Sequence, residues 1–147
     1  MYPSITPNQT AKSVSAKVMT NADIIFTIPK DILLLGLVSE CVTANNATAS
    51  TLQYSVVNAN GTTTISGASA SLANAAIGVS VIAQLSALAT APTVTSASGV
   101  DISPWAAVRI PAGSTIKLVI GVGTTTGTWI HRMTYVPLEA GAYVTAS

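Results

Sequence analysis

The stretch Leu52–Ser66, LQYSVVNANGTTTIS, holds an Asn-Gly pair between two runs rich in Val, Ile and Thr. β-Branched and aromatic residues are typical of strands, and Asn-Gly tolerates the positive φ angles of a two-residue type I′ turn. We therefore predict a β-hairpin that turns at Asn60-Gly61, between strands at Leu52–Asn58 and Thr62–Ser66. It is the clearest hairpin signal in the chain.

The residues before this hairpin predict a polar arm followed by further strands. Residues 1–11 contain Pro3 and Pro7 among polar residues, and we expect an extended arm that is ordered only when something holds it. Residues 12–147 are expected to form a single domain. Alternating or continuous apolar residues indicate strands. Such strands are predicted to begin near Ala16–Met19 and to cover Asp23–Ile28 and Ile32–Thr43. The almost continuously apolar Ile32–Thr43 is expected to be a central strand that is buried on both faces.

The residues after the hairpin predict more strands and at most one short helix. Ser69–Ile77 has helical spacing of its apolar residues, whereas Val79–Leu88 alternates as a strand does. Ala91–Asp101 is small and polar, which is typical of a surface loop. Short strands with a turn signal about every 8–12 residues predict an all-β, single-domain β-sandwich, most simply a jelly roll. The later strands are predicted at Val108–Ile110, Ser114–Val122, Thr128–Val136 and, as a short one, within Glu139–Val144.

Charged residues are scarce in this chain. Asp, Glu, Lys and Arg make up 7% of the 147 residues and the net charge is +1, whereas an average soluble domain has roughly 25%. Little electrostatic repulsion therefore keeps copies of the chain apart. The composition therefore indicates a chain that associates with other protein molecules and not an isolated monomer.

The composition also argues against nucleic-acid, membrane and secretory roles. The six cations are scattered along the chain, so no basic patch is available for a phosphate backbone. The longest strongly apolar run, Ile32–Val38, has seven residues, whereas a bilayer span needs about 20. The first residues lack the basic and apolar regions of a signal peptide, and Cys41 is the only cysteine, so we expect synthesis in a reducing cytoplasm.

The stretch Ile120–His131, IGVGTTTGTWIH, has the glycine content of a phosphate-binding loop. Its spacing, G-x-G-x-x-x-G, is one residue longer than the dinucleotide fingerprint, and Gly127 is not followed by the Lys of a P-loop. Strand-forming residues follow, where a phosphate site needs a helix N-terminus. We therefore predict that the glycines form the tip of a β-hairpin and that no cofactor binds.

The sequence predicts neither a catalytic nor a metal site. His131 is the only histidine and lies in the middle of a predicted strand, with no GxSxG motif elsewhere. The five carboxylates are spread along the chain, whereas metal ligands cluster. Cys41 lies in an apolar strand and is expected to be a small buried residue. We therefore expect that the protein is not an enzyme.

The predicted strand Thr128–Val136 has two different faces. One face carries Trp129, His131, Met133 and Tyr135, and the other carries Ile130, Arg132, Thr134 and Val136. Whichever face turns away from the core is more apolar than a solvated surface requires. Trp129, like Trp105, is accordingly expected to be a core residue, a protein–protein contact or a platform for a sugar ring.

The run Arg109–Val144, RIPAGSTIKLVIGVGTTTGTWIHRMTYVPLEAGAYV, resembles the C-terminal part of small cement or decoration proteins of tailed bacteriophages. The shared features are the IPAGS turn, the glycine–threonine segment, the aromatic strand ending in YVP and the GA-containing tail. The resemblance covers the last third of the chain. It implies a compact β-fold, often a jelly roll, that binds the outside of an icosahedral head as a dimer or trimer and reinforces it.

The resemblance therefore implies a structural virion protein whose partners are the major capsid protein and further copies of itself. The arm would become ordered on contact with the capsid. The alternative is a jelly-roll carbohydrate-binding or fibre-tip module for attachment to the host, and an enzyme comes third. The residues expected at a capsid or subunit interface are Tyr2, Pro3, Ile5, Pro7, Trp105, Arg109, Trp129 and Arg132.

Overall fold

The computed structural model describes residues 9–101, 106–123 and 125–147. Within these residues the chain forms eleven strands and no helix, so no helix able to cross a membrane is found there. The predicted all-β class is confirmed. The strands are β1 (Thr10–Val18), β2 (Ile24–Ile28), β3 (Ile32–Cys41), β4 (Thr51–Asn58), β5 (Gly61–Thr64), β6 (Ser80–Ile82), β7 (Thr93–Val94), β8 (Val108–Ile110), β9 (Ser114–Gly121), β10 (Thr128–Pro137) and β11 (Thr145–Ala146).

The described strands form two antiparallel sheets. Sheet A has the order β1-β10-β3-β6-β7. β8 also pairs with β3: β8 lies along the first residues of β3, and β6 lies along its last residues. Sheet B has the order β11-β2-β9-β4-β5. Buried residues of both sheets belong to one hydrophobic core. The predicted β-sandwich is therefore confirmed.

The chain is folded back on itself around the hairpin formed by β4 and β5. Asn58 lies opposite Gly61, which confirms the predicted hairpin. The turn residues are Ala59 and Asn60, however, and of the pair Asn60-Gly61 only Gly61 has a positive φ, at 134°, so the type I′ turn expected at Asn60-Gly61 does not form. Outward from this turn, β3 pairs with β8, β2 with β9 and β1 with β10. The early strands thus pair with the late strands in nested order. The pairs β3–β10 and β4–β9 join these nested pairs within each sheet, β6 and β7 extend sheet A beyond β3, and β11 lies at the edge of sheet B.

The core contains the large side chains that alternate inward along the strands. Phe26, Tyr54, Leu118 and Trp129 are all completely buried. Burying a side chain of this size stabilises a fold by about 1.5–3 kcal/mol. Because Trp129 and Tyr54 come from different sheets, the contact between the sheets depends on them.

The predicted helix at Ser69–Ile77 is wrong, because this segment forms turns. The Leu72 N–H donates to the Ser50 carbonyl at 2.8 Å, and Asn74 has a φ of 56°, which a right-handed helix does not allow. Leu72 is nevertheless buried. The helical spacing of Leu72 and the apolar residues after it therefore reflects the burial of Leu72 and not a helix.

Several predicted boundaries also differ from the structure. The strand predicted at Val79–Leu88 is limited to β6, and the short strand predicted within Glu139–Val144 is replaced by β11. β1 begins at Thr10, opposite Tyr135, so the last residues of the predicted arm are paired in sheet A. Residues 1–8 lie outside the described residues.

The predicted hairpin at Ile120–His131 is also wrong, because β9 and β10 belong to different sheets. β9 pairs with β2 and β4, whereas β10 pairs with β1 and β3. The glycine-containing segment therefore crosses from one sheet to the other. Gly127 packs against the segment that follows β3, where an added Cβ would lie 2.4 Å from the Thr43 carbonyl oxygen.

We predict that Gly127→Ala lowers the free energy of unfolding by about 1–3 kcal/mol, because the added methyl group overlaps the backbone of Thr43. Urea denaturation followed by tryptophan fluorescence measures the loss. Thr126→Ala is the control, since Thr126 is exposed in the same segment and its truncation removes no buried side chain. Equal denaturation midpoints for the two variants would contradict the close contact at Gly127.

Candidate interaction surface

The two faces of β10 separate cleanly into core and surface. Trp129, His131, Met133 and Tyr135 are buried, whereas Ile130, Arg132, Thr134 and Val136 are half-buried or exposed. The aromatic face therefore meets the core. The outward face of β10 is the one with aliphatic residues at both ends.

The outward side of sheet A, which we call the sheet A face, is completed by β3. β3 has an extra residue at Leu35, because Thr134 pairs with Gly36 while Tyr135 pairs with Leu34. At this bulge Leu35 and Gly36 both lie on the outward side, so Leu33 and Val38 share one face. The half-buried aliphatic residues of the sheet A face are Leu33, Leu35, Val38, Ile130 and Val136.

Two arginine–carboxylate pairs lie at opposite ends of the sheet A face. Arg132 on β10 pairs with Glu40 near the end of β3, and Arg109 on β8 pairs with Asp31, just before β3 begins. The arginine side chains are 47% and 62% exposed, so these pairs add little to the stability of the single chain. An apolar centre with arginine at its edge is typical of a protein–protein interface.

Asp31 also fixes the start of β3 against the turn between β8 and β9. Its Oδ1 accepts a hydrogen bond from the Ala112 N–H at 2.8 Å. This hydrogen bond, followed by the guanidinium of Arg109, lowers the pKa of Asp31 below its ordinary value. The carboxylate therefore stays charged at neutral pH and holds one end of the sheet A face in place.

A buried polar cluster joins the two sheets behind the sheet A face. Ser39 Oγ on β3 is hydrogen-bonded to Tyr54 OH on β4 at 2.5 Å and to His131 Nδ1 on β10 at 2.6 Å. All three residues are completely buried. Burial raises the pKa of Tyr54. Burial, and secondly the charge of Lys17, lowers the pKa of His131 to about 4, so its imidazole is neutral at pH 7.

The cluster contains the residue types of a nucleophile and its base but not their accessibility. A hydroxyl beside an imidazole can act as a nucleophile only where a substrate can reach it. Ser39 has no exposed surface, and the Nε2 of His131 has no hydrogen-bond partner among the described residues. In the described part of the chain, no group of three or more His, Cys, Asp or Glu side chains could hold a metal ion. The cluster is therefore interpreted as a structural contact.

The backbone donors of the glycine-containing segment are bound by a side chain of the same molecule. Asn45 Oδ1 accepts hydrogen bonds from the N–H groups of Thr126 and Gly127 at 3.1 and 3.0 Å. The Asn45 amide donates in turn to the Leu72 carbonyl at 2.9 Å. An amide oxygen thus occupies the position that a phosphate oxygen would need.

The structure separates the predicted interface residues. Arg109 and Arg132 lie at opposite ends of the sheet A face. Trp129 is completely buried, so it is a core residue and neither a surface contact nor a sugar platform. The remaining predicted interface residues lie outside the described residues: Tyr2, Pro3, Ile5, Pro7 and Trp105.

Sequence reasoning missed the contribution of β3 to this surface. Ile32–Thr43 was expected to be buried on both sides, which concealed the outward position of Leu33, Leu35 and Val38. Only the outward residues of β10 signalled the surface.

Comparisons of the chain with protein-family models, with curated proteins and with solved structures find no match.

Proposed function

We propose that this chain is a structural virion protein that binds the outer surface of an icosahedral phage head as a small homo-oligomer. It stabilises the contacts between major capsid subunits. The observation that carries the homo-oligomer is the sheet A face, with its aliphatic centre and an arginine at each end. A surface of this kind favours contact with protein. The resemblance of Arg109–Val144 to phage decoration proteins supplies the class of partner.

The sandwich is further inferred to be a jelly roll. Jelly rolls distribute eight strands over two sheets with Greek-key connections. The nested pairs β1–β10, β2–β9, β3–β8 and β4–β5 support this assignment, because they are what a long hairpin forms when it wraps around a core. Viral capsid domains and lectins both use this architecture, so it fits the proposal without deciding between the two classes.

The scarcity of charge explains how such a protein would reinforce a shell. Each copy that touches two neighbouring subunits adds its binding free energy to the cost of separating them. With 7% charged residues, few charges must be desolvated when the protein binds. Burial of small and aliphatic residues then supplies most of the binding free energy.

The carbohydrate-binding alternative requires an exposed aromatic side chain. Trp129 is buried, and Trp105 lies outside the described residues. Of the described aromatic side chains, only Tyr143 is exposed. A single exposed tyrosine does not favour a sugar platform over an ordinary surface position, so we propose no second function.

We predict that purified protein raises the temperature at which undecorated heads rupture. Heads are mixed with the protein, separated from unbound chain by sedimentation, and heated while release of DNA is followed with an intercalating dye. A charge-poor protein of similar mass that is unrelated to phages serves as the control for crowding. If no chain sediments with the heads and their rupture temperature is unchanged, the proposed function fails.

A further inference from the structure

We infer that the sheet A face is the contact between two copies of this chain, packed sheet to sheet about a two-fold axis. The inference rests on the proposed function for its expectation of a homo-oligomer, and it specifies the surface and the symmetry. Four observations support it: the arrangement of β3, the charges, the contrast with sheet B and the size of the surface.

The outward residues of β3 are arranged symmetrically about Leu35 and Gly36. Leu33 on one side of this centre corresponds to Val38 on the other, and Asp31 corresponds to Glu40. A two-fold axis across the middle of β3 therefore places Leu33 of each copy against Val38 of the other, so that aliphatic side chains meet. It also places Leu35 of each copy against Gly36 of the other, where a Cβ would meet no atom within 4 Å. A bulky side chain thus faces open space on its partner.

The charges of the sheet A face complement themselves under the same symmetry. Because the axis reverses the strand direction, the Arg132–Glu40 pair of one copy lies opposite the Arg109–Asp31 pair of the other. Each end of the interface then contains two carboxylates flanked by two guanidinium groups. The side chains bridge the spacing of about 10 Å between packed sheets. No net charge is buried, and isologous dimers require this kind of self-complementarity.

The outward side of sheet B is a poorer candidate for the same role. Lys117 lies at its centre on β9, between Ser55 of β4 and Ile24 of β2. A two-fold axis through this region would place the Lys117 ammonium groups of two copies close together. Like charges in an interface oppose association, so the symmetry favours sheet A.

The sheet A face is large enough for a stable contact. β3 has 10 residues, and about four strand positions lie across the sheet. At roughly 3.3 Å per residue and 4.8 Å per strand, this gives about 600 Å² for each copy. The total of about 1,200 Å² lies at the lower limit of stable protein interfaces.

The experiment compares two identical substitutions on the two sheets. Thr134→Arg places a guanidinium near the centre of the sheet A face, between the small residues Ala11 and Gly36, where the folded single chain has room for it. Thr115→Arg is the matched control, because Thr115 is also half-buried on the outward side of a central strand, in sheet B. Sedimentation equilibrium measures the mass of each protein, and thermal melting checks that each is folded.

We predict that the natural chain sediments at twice its mass of 14.8 kDa. Thr134→Arg is expected to raise the dimer dissociation constant by about 100-fold, whereas Thr115→Arg leaves it unchanged. Leu35→Asn is the second variant, in case Thr134→Arg does not fold. It removes the side chain that faces Gly36 and is expected to weaken the dimer by about 10-fold.

Three results would overturn the inference: a natural chain that is monomeric at 100 μM, a trimer, or an unchanged dimer in folded Thr134→Arg or Leu35→Asn. A monomer that binds heads and raises their rupture temperature would reject this interface and the homo-oligomer, and would leave only the capsid-binding part of the proposed function intact. A dimer that is sensitive to Thr134→Arg but does not bind heads would support the interface and reject the proposed function.

Discussion

Acidification from pH 7 to pH 4 is expected to lower the free energy of unfolding by about 3 kcal/mol through His131 alone. In the folded protein, burial and the charge of Lys17 hold the pKa of this residue at about 4, against an ordinary value of 6.5. Between these two values the unfolded chain binds a proton that the folded chain does not. The contribution of His131 to the free energy of unfolding is therefore fully present above pH 6.5. It decreases as the pH falls through this window and reaches its lower limit below pH 4.

The charged and titratable groups around His131 set this window. Lys17 on β1 lies opposite Trp129, two residues from His131 along β10, and its charge disfavours the protonated imidazole. Tyr54, whose pKa is raised by burial, stays neutral and is linked to His131 through Ser39. Asp31, whose pKa is lowered, loses its charge only at a pH below its ordinary value, so its contribution disappears at a lower pH than that of His131.

His131→Leu tests the prediction, because it removes the titrating ring while Ser39 keeps Tyr54 as a partner. Urea denaturation at intervals between pH 4 and pH 7 is expected to show a steep slope for the natural chain and almost none for the variant. Asp31→Asn serves as the control and should retain the slope between pH 4 and pH 6.5. Identical slopes for the natural chain and His131→Leu would contradict the buried, neutral imidazole.

Trp129→Ala is expected to lower the free energy of unfolding by about 3–5 kcal/mol, the range for large-to-small changes of a buried aromatic residue. Trp129 is completely buried and lies on β10 opposite Cys41 of β3. Removing the indole leaves a cavity between the sheets in addition to the lost burial. A loss of this size would consume much of the stability of an ordinary domain.

Urea denaturation followed by circular dichroism measures this effect, since the variant lacks the fluorescent ring. Ile77→Ala is the matched control, because Ile77 is 65% exposed and its truncation is expected to stay within about 0.5 kcal/mol. A loss below about 1 kcal/mol for Trp129→Ala would contradict a core position. It would restore Trp129 as a candidate surface contact.

Local patterns in the sequence predicted those parts of the fold that depend on local chemistry. The Asn60-Gly61 pair marked the hairpin between β4 and β5, because glycine tolerates the positive φ that Gly61 adopts. The alternation of β10 depends on a period of two residues, which places Trp129 and His131 on one face whatever the partner strands are. Both features are confirmed by the structure.

Pairing between distant strands could not be predicted in the same way. Nothing in the composition of Ile120–His131 distinguishes a hairpin from a crossing between sheets, because strands on either side alternate identically. The burial of Leu72 in a turn likewise arises from contacts with distant residues, such as Ser50. Helical spacing alone could not reveal this.

The candidate surface was only partly visible for the same reason. Arg109 and Arg132 were expected at an interface, but their carboxylate partners, Asp31 and Glu40, lie 78 and 92 residues away in the sequence. Only the pairing of β3 with both β8 and β10 brings the four charges to one side of the sheet.

Electron cryomicroscopy of phage particles in whose preparation this chain is detected tests most directly whether it lies on the head, as proposed. We expect density for a two-sheet sandwich on the outside of the icosahedral shell, in contact with neighbouring major capsid subunits. A shell whose outer surface carries no such density, with the sandwich located instead at a fibre tip, would contradict the proposal.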